Sequence, residues 1–312
     1  MKKKYGLIGY PLVHSFSKSF FNRKFESEHI DAEYINFEIA DVRELKNVLR
    51  DNPDLCGLNV TLPYKTAVIP LLDDLTDNAR SIGAVNVIKF RGRHFGRPRL
   101  EGHNSDITGF KESIEPLLGP SHRKALILGT GGASKAVFHG LKQLGLGATY
   151  VSRSRKPACL TYADLTPKVM EQYTVIVNAT PVGMYPKADE CPDIPYDLLT
   201  PSHLLYDLLY NPDETLFMRR GREQGAEVKN GLEMLLLQAF AAWQIDDMMK
   251  KRTVILRTLA VLMGLITVGT AVAYFVLRPD REWLAFYVAC CGGVLVVNLG
   301  LMMVFAAKNI RK

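Results

Sequence analysis

Hydrophobic and polar positions along residues 1–247 alternate between short apolar runs and amphipathic stretches. Four of the apolar runs in the first 90 residues predict β-strands, at Tyr5–Gly9, Tyr34–Ile39, Gly57–Val60 and Ala84–Phe90. Between them, Ser17–His29 and Val42–Arg50 read as amphipathic helices. Strands that alternate with helices in this way predict βαβ units, a largely parallel sheet and an α/β fold.

The alternation restarts near residue 105 and forms a second α/β half. A helix is predicted at Ile107–Leu118, a strand at Ala125–Leu128 and a helix at Lys135–Leu144, with the segment GTGGAS at 129–134 between the last two. Further strands are predicted at 148–151, 175–177 and 204–206, and a final helix, apolar along much of its length, at 231–245. The order strand, glycine-rich turn, helix is typical of a dinucleotide-binding site.

The residue types in and after this turn indicate which dinucleotide binds. Gly129, Gly131 and Gly132 permit a tight turn, and the N–H groups that open the next helix can bind a pyrophosphate. Ser134 stands where the strict GxGxxG pattern has its last glycine. The following strand ends in SRSRK at 152–156, with three cations and no acid, which favours a 2′-phosphate and therefore NADP.

The chain ends in two long stretches without a charged residue, Thr258–Leu277 and Trp283–Ala307. Each is long enough to cross a hydrocarbon core of about 30 Å. A five-residue polar link joins them, so we predict an antiparallel transmembrane hairpin within 248–312; the alternative is a pair of buried core helices. The small residues expected to let the two helices approach closely are the pairs Gly269/Ala273 and Ala289/Gly293.

The distribution of charge supports the membrane prediction. Residues 248–312 contain nine Lys and Arg against two Asp and Glu, whereas residues 1–247 contain thirty of each kind. The net charge of +7 therefore belongs to the tail, which argues against nucleic acid as a partner and for membrane lipid. More basic residues flank the two stretches than lie in their link, so both ends are predicted to be cytoplasmic.

The cysteines and the N-terminal residues indicate in which compartment the catalytic part lies. The five cysteines form no CxxC pair, and no apolar signal segment follows the basic N-terminus. We therefore expect a cytoplasmic catalytic part anchored to the inner membrane with both termini inside. The hairpin also leaves room for a membrane partner, which the sequence does not identify.

Eight motifs follow one another in residues 4–247. They are HSFS at 14–17, NVTLPYK at 59–65, GAVN at 83–86, GHNSDITG at 102–109, GTGGAS at 129–134, NATPVGM at 178–184, YDLLYNP at 206–212 and NGLEML at 230–235. This set resembles the shikimate dehydrogenase family. The resemblance implies a shikimate-binding domain over 1–105 plus 231–247 and a Rossmann-like NADP-binding domain over 106–230. It also implies reduction of 3-dehydroshikimate to shikimate by NADPH, a step of chorismate and aromatic amino-acid biosynthesis.

The resemblance also implies roles for individual residues. Lys65 is the implied general acid/base and Asp106 its partner, since a ketone reduced by hydride develops alkoxide charge and needs a proton donor. The implied substrate-binding residues are Ser15, Ser17, Thr61, Asn86, Tyr210 and Gln238. The implied cofactor-binding residues are Gly129, Gly131, Gly132, Ala133, Ser152, Arg153, Ser154, Thr180, Gly231 and Met234. No cluster of potential ligands has the spacing of a zinc or iron site, and no metal is predicted.

Three positions depart from the family pattern. Ser152 stands where the family has Asn, Ser105 where it has Thr, and Pro157 where it has a basic residue that contributes to cofactor binding. Arg155 and Lys156 are the candidates to take over from that missing cation.

Other functions remain open at the level of sequence. One alternative is a quinate/shikimate dehydrogenase that uses NAD, which the basic segment 152–156 argues against. Another is a catalytically silent, membrane-attached nucleotide sensor, which the intact Lys65 and Asp106 argue against. A third makes the hairpin the functional part, with the enzyme as its passenger.

Overall fold

The computed structural model describes residues 2–12, 16–94, 97–279 and 281–309 of the 312-residue chain. The chain divides into two compact units, Met1–Ala242 and Trp243–Lys312. The first unit contains two six-stranded sheets, and most of their strand pairs are parallel. The predicted α/β fold is confirmed.

The first sheet is mixed. Its strands are β1 (Lys3–Gly9), β2 (Ala32–Glu38), β3 (Leu55–Val60), β4 (Asp74–Leu75), β5 (Val87–His94) and β6 (Arg97–His103). Their order is β2-β1-β3-β5-β6-β4. β1 pairs in parallel with β2 and β3, whereas β5 is antiparallel to β3 and β6. The accompanying helices are α1 (Phe16–Ser27), α2 (Leu45–Asp51), α3 (Tyr64–Ala67) and α4 (Asp77–Ile82).

The hairpin of β5 and β6 departs from the prediction in two ways. Charged residues interrupt any apolar run in β6, so the hydrophobic pattern did not predict this strand; it forms because it pairs with β5. The strand predicted from Ala84 begins at Val87. The cause is Gly83, which caps α4 at φ +66°, so that residues 84–86 connect the helix to the strand instead of extending it.

The second sheet is entirely parallel. Its strands are β7 (Lys124–Leu128), β8 (Gly147–Ser152), β9 (Cys159–Thr161), β10 (Val175–Asn178), β11 (Leu204–Asp207) and β12 (Glu227–Lys229), in the order β12-β11-β10-β7-β8-β9. Its helices are α5 (Asp106–Ile114), α6 (Gly132–Gln143), α7 (Pro167–Gln172) and α8 (Leu216–Glu223). The strand order reverses between β7 and β10, and ligands of doubly wound sheets bind at such a point.

Apolar side chains cover both faces of this second sheet. Phe110 of α5 and Leu141 of α6 are fully buried on one face, and Met170 and Phe217 are buried on the other. Burial of each such side chain stabilises the fold by about 1.5–3 kcal/mol relative to exposure. The two covered faces leave the ends of the strands as the accessible part of the sheet.

Several helix boundaries differ from the predicted ones, and two of these differences have a clear cause in the sequence. Helix α6 begins at Gly132, three residues before the predicted start, because Gly131 is its N-cap residue. The helix predicted at 231–245 and the first membrane stretch form one helix, α9 (Leu232–Leu277), of 46 residues. The intervening residues 246–257 are polar, but they contain no glycine or proline to end a helix.

The second unit contains two helices: the part of α9 from Trp243 onward, and the whole of α10 (Glu282–Asn309). Two of its stretches, Thr258–Leu277 and Glu282–Val304, are long and apolar enough to cross a membrane, and little of either is buried. A Cβ at Gly292 would lie 2.2 Å from Thr270 Oγ1, so the two helices pack closely at this point.

Two of the four small residues predicted to let these helices approach, Gly269 and Gly293, lie off the contact, whereas Ala273 and Ala289 are half-buried. Gly269 and Gly293 have open space where a Cβ would lie, so they face away from the contact. The contact uses their neighbours Thr270 and Gly292, because one residue along a helix rotates the side chain by about 100°.

Candidate active site

Lys65 and Asp106 form an ion pair between α3 and α5. Lys65 Nζ donates to Asp106 Oδ2 at 2.7 Å, and the two side chains are only 15 % and 5 % exposed. Asp106 is the first residue of α5, where the helix N-terminus stabilises a carboxylate. The fold thus brings together an ammonium and a carboxylate that are 41 residues apart in sequence. A lysine held in this way can transfer a proton to or from a bound substrate.

Asn86 fixes the orientation of that carboxylate. Its Nδ2 donates to Asp106 Oδ1 at 2.8 Å and to Ser105 Oγ at 2.9 Å, while its Oδ1 accepts the Ser105 N–H at 2.7 Å. Gln238 Oε1 lies 3.3 Å from Asn86 Nδ2 and 3.4 Å from Ser105 Oγ. With Lys65 on one oxygen and Asn86 on the other, both oxygens of Asp106 accept hydrogen bonds.

The structure describes only one of the two serines predicted to bind the substrate. Ser15 lies outside the described residues. Ser17 is the second residue of α1, and its hydroxyl hydrogen-bonds the Tyr34 hydroxyl, which donates to Asn59 Oδ1 at 2.7 Å. Burial raises the pKa of Tyr34 above its ordinary value, so this hydroxyl stays neutral and remains a donor. One buried tyrosine therefore ties the start of α1 to β3.

The other two substrate candidates lie beyond strand ends. Thr61 follows β3, and its N–H donates to the Ile8 carbonyl at 3.0 Å. Tyr210 follows β11, is 36 % exposed, and meets the Phe16 ring edge-on with 6.2 Å between centroids. The structure therefore brings Tyr210 to the same end of α1 as Ser17.

The glycine-rich turn passes directly beside Lys65. Gly129 has φ +103°, which favours glycine, and Gly131 caps α6 without a side chain, leaving the first-turn N–H groups available. A Cβ at Gly131 would meet no atom within 4 Å, so there is open space before the turn. A Cβ at Gly132 would lie 2.9 Å from Lys65 Cβ. This cradle, which continues with Ala133 in the first turn of α6, fits a pyrophosphate.

The basic segment lies next to this turn because β7 and β8 are adjacent parallel strands. Ser152 is buried at the end of β8, and Arg153 and Ser154 follow at the surface. Lys156 Nζ donates to Thr130 Oγ1, within the glycine-rich turn, at 3.0 Å. These residues fit a phosphorylated ribose at the edge of the turn.

Thr180 borders the turn from the other side. A Cβ at Gly129 would lie 3.0 Å from Thr180 Cγ2, and Thr180 Oγ1 donates to Asn178 Oδ1 at 2.6 Å. Thr180 therefore lies where the predicted cofactor residues converge, at the ends of β7 and β10.

Gly231 and Met234 lie at the start of α9. The N–H of Gly231 donates to the Leu209 carbonyl at 2.8 Å, and a Cβ at Gly231 would lie 2.2 Å from the Leu208 carbonyl oxygen. Met234 is 7 % exposed and belongs to the core that contains Tyr206. Both residues are closely packed, and their predicted contact with the cofactor stays a prediction.

Asp207 holds several strand ends of the site in place. It is fully buried and accepts hydrogen bonds from Thr215 Oγ1 at 2.6 Å, from the Leu209 N–H at 3.0 Å and from Asn178 Nδ2 at 3.0 Å. Burial raises the pKa of Asp207 to about 6, and these hydrogen bonds act in the opposite direction. The network positions the segments that carry Thr180 and Tyr210.

Sequence reasoning did not single out Tyr34, Asn59 or Asp207 individually. Asn59 and Asp207 each lie in a strand that is otherwise largely apolar, and Tyr34 lies in the mixed strand β2. A polar residue within such a strand is the signal that could have identified them, since buried polar groups require specific partners. In the part of the chain that the structure describes, no group of three His, Cys, Asp or Glu residues could hold a metal ion.

A parallel, doubly wound sheet with a glycine-rich turn beside a lysine–carboxylate ion pair is typical of a dinucleotide-dependent oxidoreductase. The family model described as shikimate dehydrogenase substrate binding domain matches residues 7–88. The shikimate dehydrogenase (NADP(+)) of Desulforamulus reducens is 34 % identical over 262 residues, which cover 77 % of this chain and 88 % of that protein. The chain belongs to the shikimate dehydrogenase family.

Solved structures of the family are similar in fold. The shikimate dehydrogenase of Aquifex aeolicus has a TM-score of 0.68 and 33 % identity, covering 78 % of this chain and 92 % of that one. The shikimate 5-dehydrogenase of Thermus thermophilus, in complex with NADP(H) and shikimate, has a TM-score of 0.68 and 29 % identity, covering 78 % and 93 %.

Proposed function

We propose that this chain is an NADP-dependent shikimate dehydrogenase, which reduces 3-dehydroshikimate to shikimate and catalyses the reverse reaction. The observation that carries the proposal is the buried Lys65–Asp106 ion pair directly beside the glycine-rich turn. The name of the Desulforamulus reducens relative and the ligands of the Thermus thermophilus structure support the same activity. When bound, NADPH supplies the hydride that reduces the ketone.

Lys65 and Asp106 perform the proton transfer of this proposal. As the ketone oxygen gains negative charge, the Lys65 ammonium donates a proton to that oxygen and stabilises the charge. Asp106 holds Nζ in place through its Oδ2 atom, and Asn86 fixes the other oxygen. In the reverse direction, Lys65 as a neutral amine accepts the proton of the substrate hydroxyl.

The remaining predicted residues bind the substrate in this proposal. Asn86 and Gln238 offer amide groups beside the ion pair that suit ring hydroxyls, and Thr61 and Tyr210 offer hydroxyl groups. Ser15 and Ser17 hold the carboxylate at the start of α1, where hydroxyl and backbone N–H groups favour an anion. Residues 1–105 with 231–247 then form the substrate domain, and 106–230 the NADP domain.

The test is oxidation of shikimate by the full-length protein in detergent, followed by the near-ultraviolet absorbance of the reduced cofactor. We expect turnover with shikimate and NADP, and much less with NAD or quinate. Turnover confined to NAD and quinate would favour a quinate/shikimate dehydrogenase. A folded protein that binds NADPH but oxidises neither substrate would favour the nucleotide sensor.

We propose further that the second unit anchors the enzyme in a membrane. The stretches Thr258–Leu277 and Glu282–Val304 have the required length, and their large apolar side chains are mostly exposed, with Phe275 at 69 % and Phe286 at 68 %. In this proposal both ends are in the cytoplasm, which the basic flanks support, and lipid or a membrane partner packs against the exposed faces. Aromatic residues at the ends, such as Trp283, suit the membrane interface.

Membrane fractionation of cells that produce the full chain tests the anchor. We expect the protein in the membrane fraction, resistant to alkaline wash and released by detergent. Leu265→Arg places a charge within the first stretch at a cost of about 2.5–3.5 kcal/mol, so it should weaken membrane insertion. Lys46→Arg, on the surface of α2, is the control. Recovery of the unaltered chain in the supernatant without detergent would contradict the anchor.

A further inference from the structure

The three basic residues after β8 contact or lie near different parts of the protein. Arg153, Arg155 and Lys156 are all exposed, but only Lys156 extends to the glycine-rich turn, where its Nζ donates to Thr130 Oγ1 at 3.0 Å. Thr130 lies between Gly129 and Gly131. Lys156 therefore bridges the two segments that border the ribose of a dinucleotide in this fold.

Arg155 and Arg153 lie near groups of the next segment of the chain. Hydrogen bonds from Thr161 lower the pKa of Asp164, and the charge of Arg155 lowers it further. Burial raises the pKa of Tyr162, and the charge of Arg153 acts in the opposite direction. The charge of Arg155 thus acts on Asp164, whereas Lys156 contacts the glycine-rich turn through its ammonium group.

Pro157 removes the cation that the family pattern places one residue further along. Its ring carries no donor, and the next residue, Ala158, has φ +55°, so the chain turns sharply here. Lys156 is the cation next to position 157, and it also contacts the turn.

We propose that Lys156 binds the 2′-phosphate of NADP and provides, with Arg153, the preference for NADP over NAD. This inference rests on the proposed function. In the free protein the Thr130 hydroxyl holds the ammonium at the edge of the turn, so that little rearrangement is needed for it to meet a phosphate. The ammonium then acts as a point charge with three donors, which suits a phosphate dianion.

Dissociation constants of NADPH and NADH, from the change in dinucleotide fluorescence on binding to the full-length protein in detergent, test the inference. Lys156→Met keeps an unbranched side chain, one atom shorter, and removes its charge. We expect the dissociation constant of NADPH to rise about 10- to 100-fold, as for the loss of one charge-assisted hydrogen bond, and that of NADH to change less than about twofold. Lys156→Arg should retain most of the NADPH affinity.

Arg155→Met is the matched control, because it removes the exposed neighbouring cation, for which the structure shows no hydrogen bond to the turn. It should leave both dissociation constants within about twofold of the original. Unchanged NADPH affinity in Lys156→Met, or an equal loss for NADPH and NADH, would overturn the inference; the second result would place Lys156 at the pyrophosphate. If the unaltered protein bound NADPH no better than NADH, the NADP assignment would fail together with this inference.

Discussion

Lys65→Met lowers kcat for shikimate oxidation by about 10³-fold, the expected loss when a general acid/base that also stabilises alkoxide charge is removed. Methionine keeps the unbranched stem but has no proton to transfer. It also leaves Asp106 with Asn86 as its partner on one oxygen and none on the other. The affinity for NADPH should change little, because Lys65 approaches the glycine-rich turn through its stem and not through its charge.

The measurements are kcat, the dissociation constant of NADPH and the thermal midpoint of the full-length variant in detergent. Lys46→Met, an exposed lysine of α2, is the matched control and should retain full activity. A Lys65→Met protein that stays folded, binds NADPH and retains a tenth or more of the original kcat would contradict the acid/base role.

Gly231→Ala is expected to destabilise the first unit by about 3 kcal/mol, at the upper end of overpacking effects. The added Cβ would lie 2.2 Å from the carbonyl oxygen and 2.6 Å from the carbonyl carbon of Leu208. These are backbone atoms just beyond β11, so no side-chain rotation relieves the contact. Either the hydrogen bond from the Gly231 N–H to Leu209 lengthens or the start of α9 moves.

Urea denaturation followed by circular dichroism measures this difference in the free energy of unfolding. The control is Gly119→Ala, since a Cβ at Gly119 meets no atom within 4 Å and its φ lies outside the left-handed region. That substitution should alter the free energy by less than about 0.5 kcal/mol. Similar urea midpoints for the two variants would show that the close approach of Gly231 to the Leu208 backbone relaxes at little cost in the free energy of unfolding. A displaced α9 should also weaken substrate binding, because the same helix carries Gln238.

The sequence identified the residues of the ion pair but not how they are held. Lys65 and Asp106 stood out through the family motifs, and the structure joins them at 2.7 Å. Asn86 was predicted to bind substrate, yet its contacts with Asp106 and Ser105 show that it also orients the carboxylate. Such a role depends on which side chains meet across the fold, and a motif in one segment contains no information on those distances.

In the hairpin, too, the sequence identified the segments but not all of the residues in contact. Its two stretches were evident from length and the lack of charge, because these properties belong to the segment itself. Two of the four predicted small residues, Gly269 and Gly293, lie next to the contact and not in it, since several small residues lie close together on both helices. In the packed hairpin the contact is made by Thr270 and Gly292, because the two helices are rotated so that these residues face each other.

By itself the sequence determined most of the strands and helices of residues 1–247, the nucleotide-binding turn, the membrane-length stretches and the family. These follow from periodicity, glycine placement and local motifs, which act over a few residues. The sequence did not predict the short strands β4, β9 and β12 or the charged strand β6. The tertiary structure alone decided that the first sheet is mixed, that α9 is continuous, and that Lys156 rather than Arg155 contacts the turn. The physical reason is that pairing and packing between distant segments select one arrangement among several that the local pattern allows equally well.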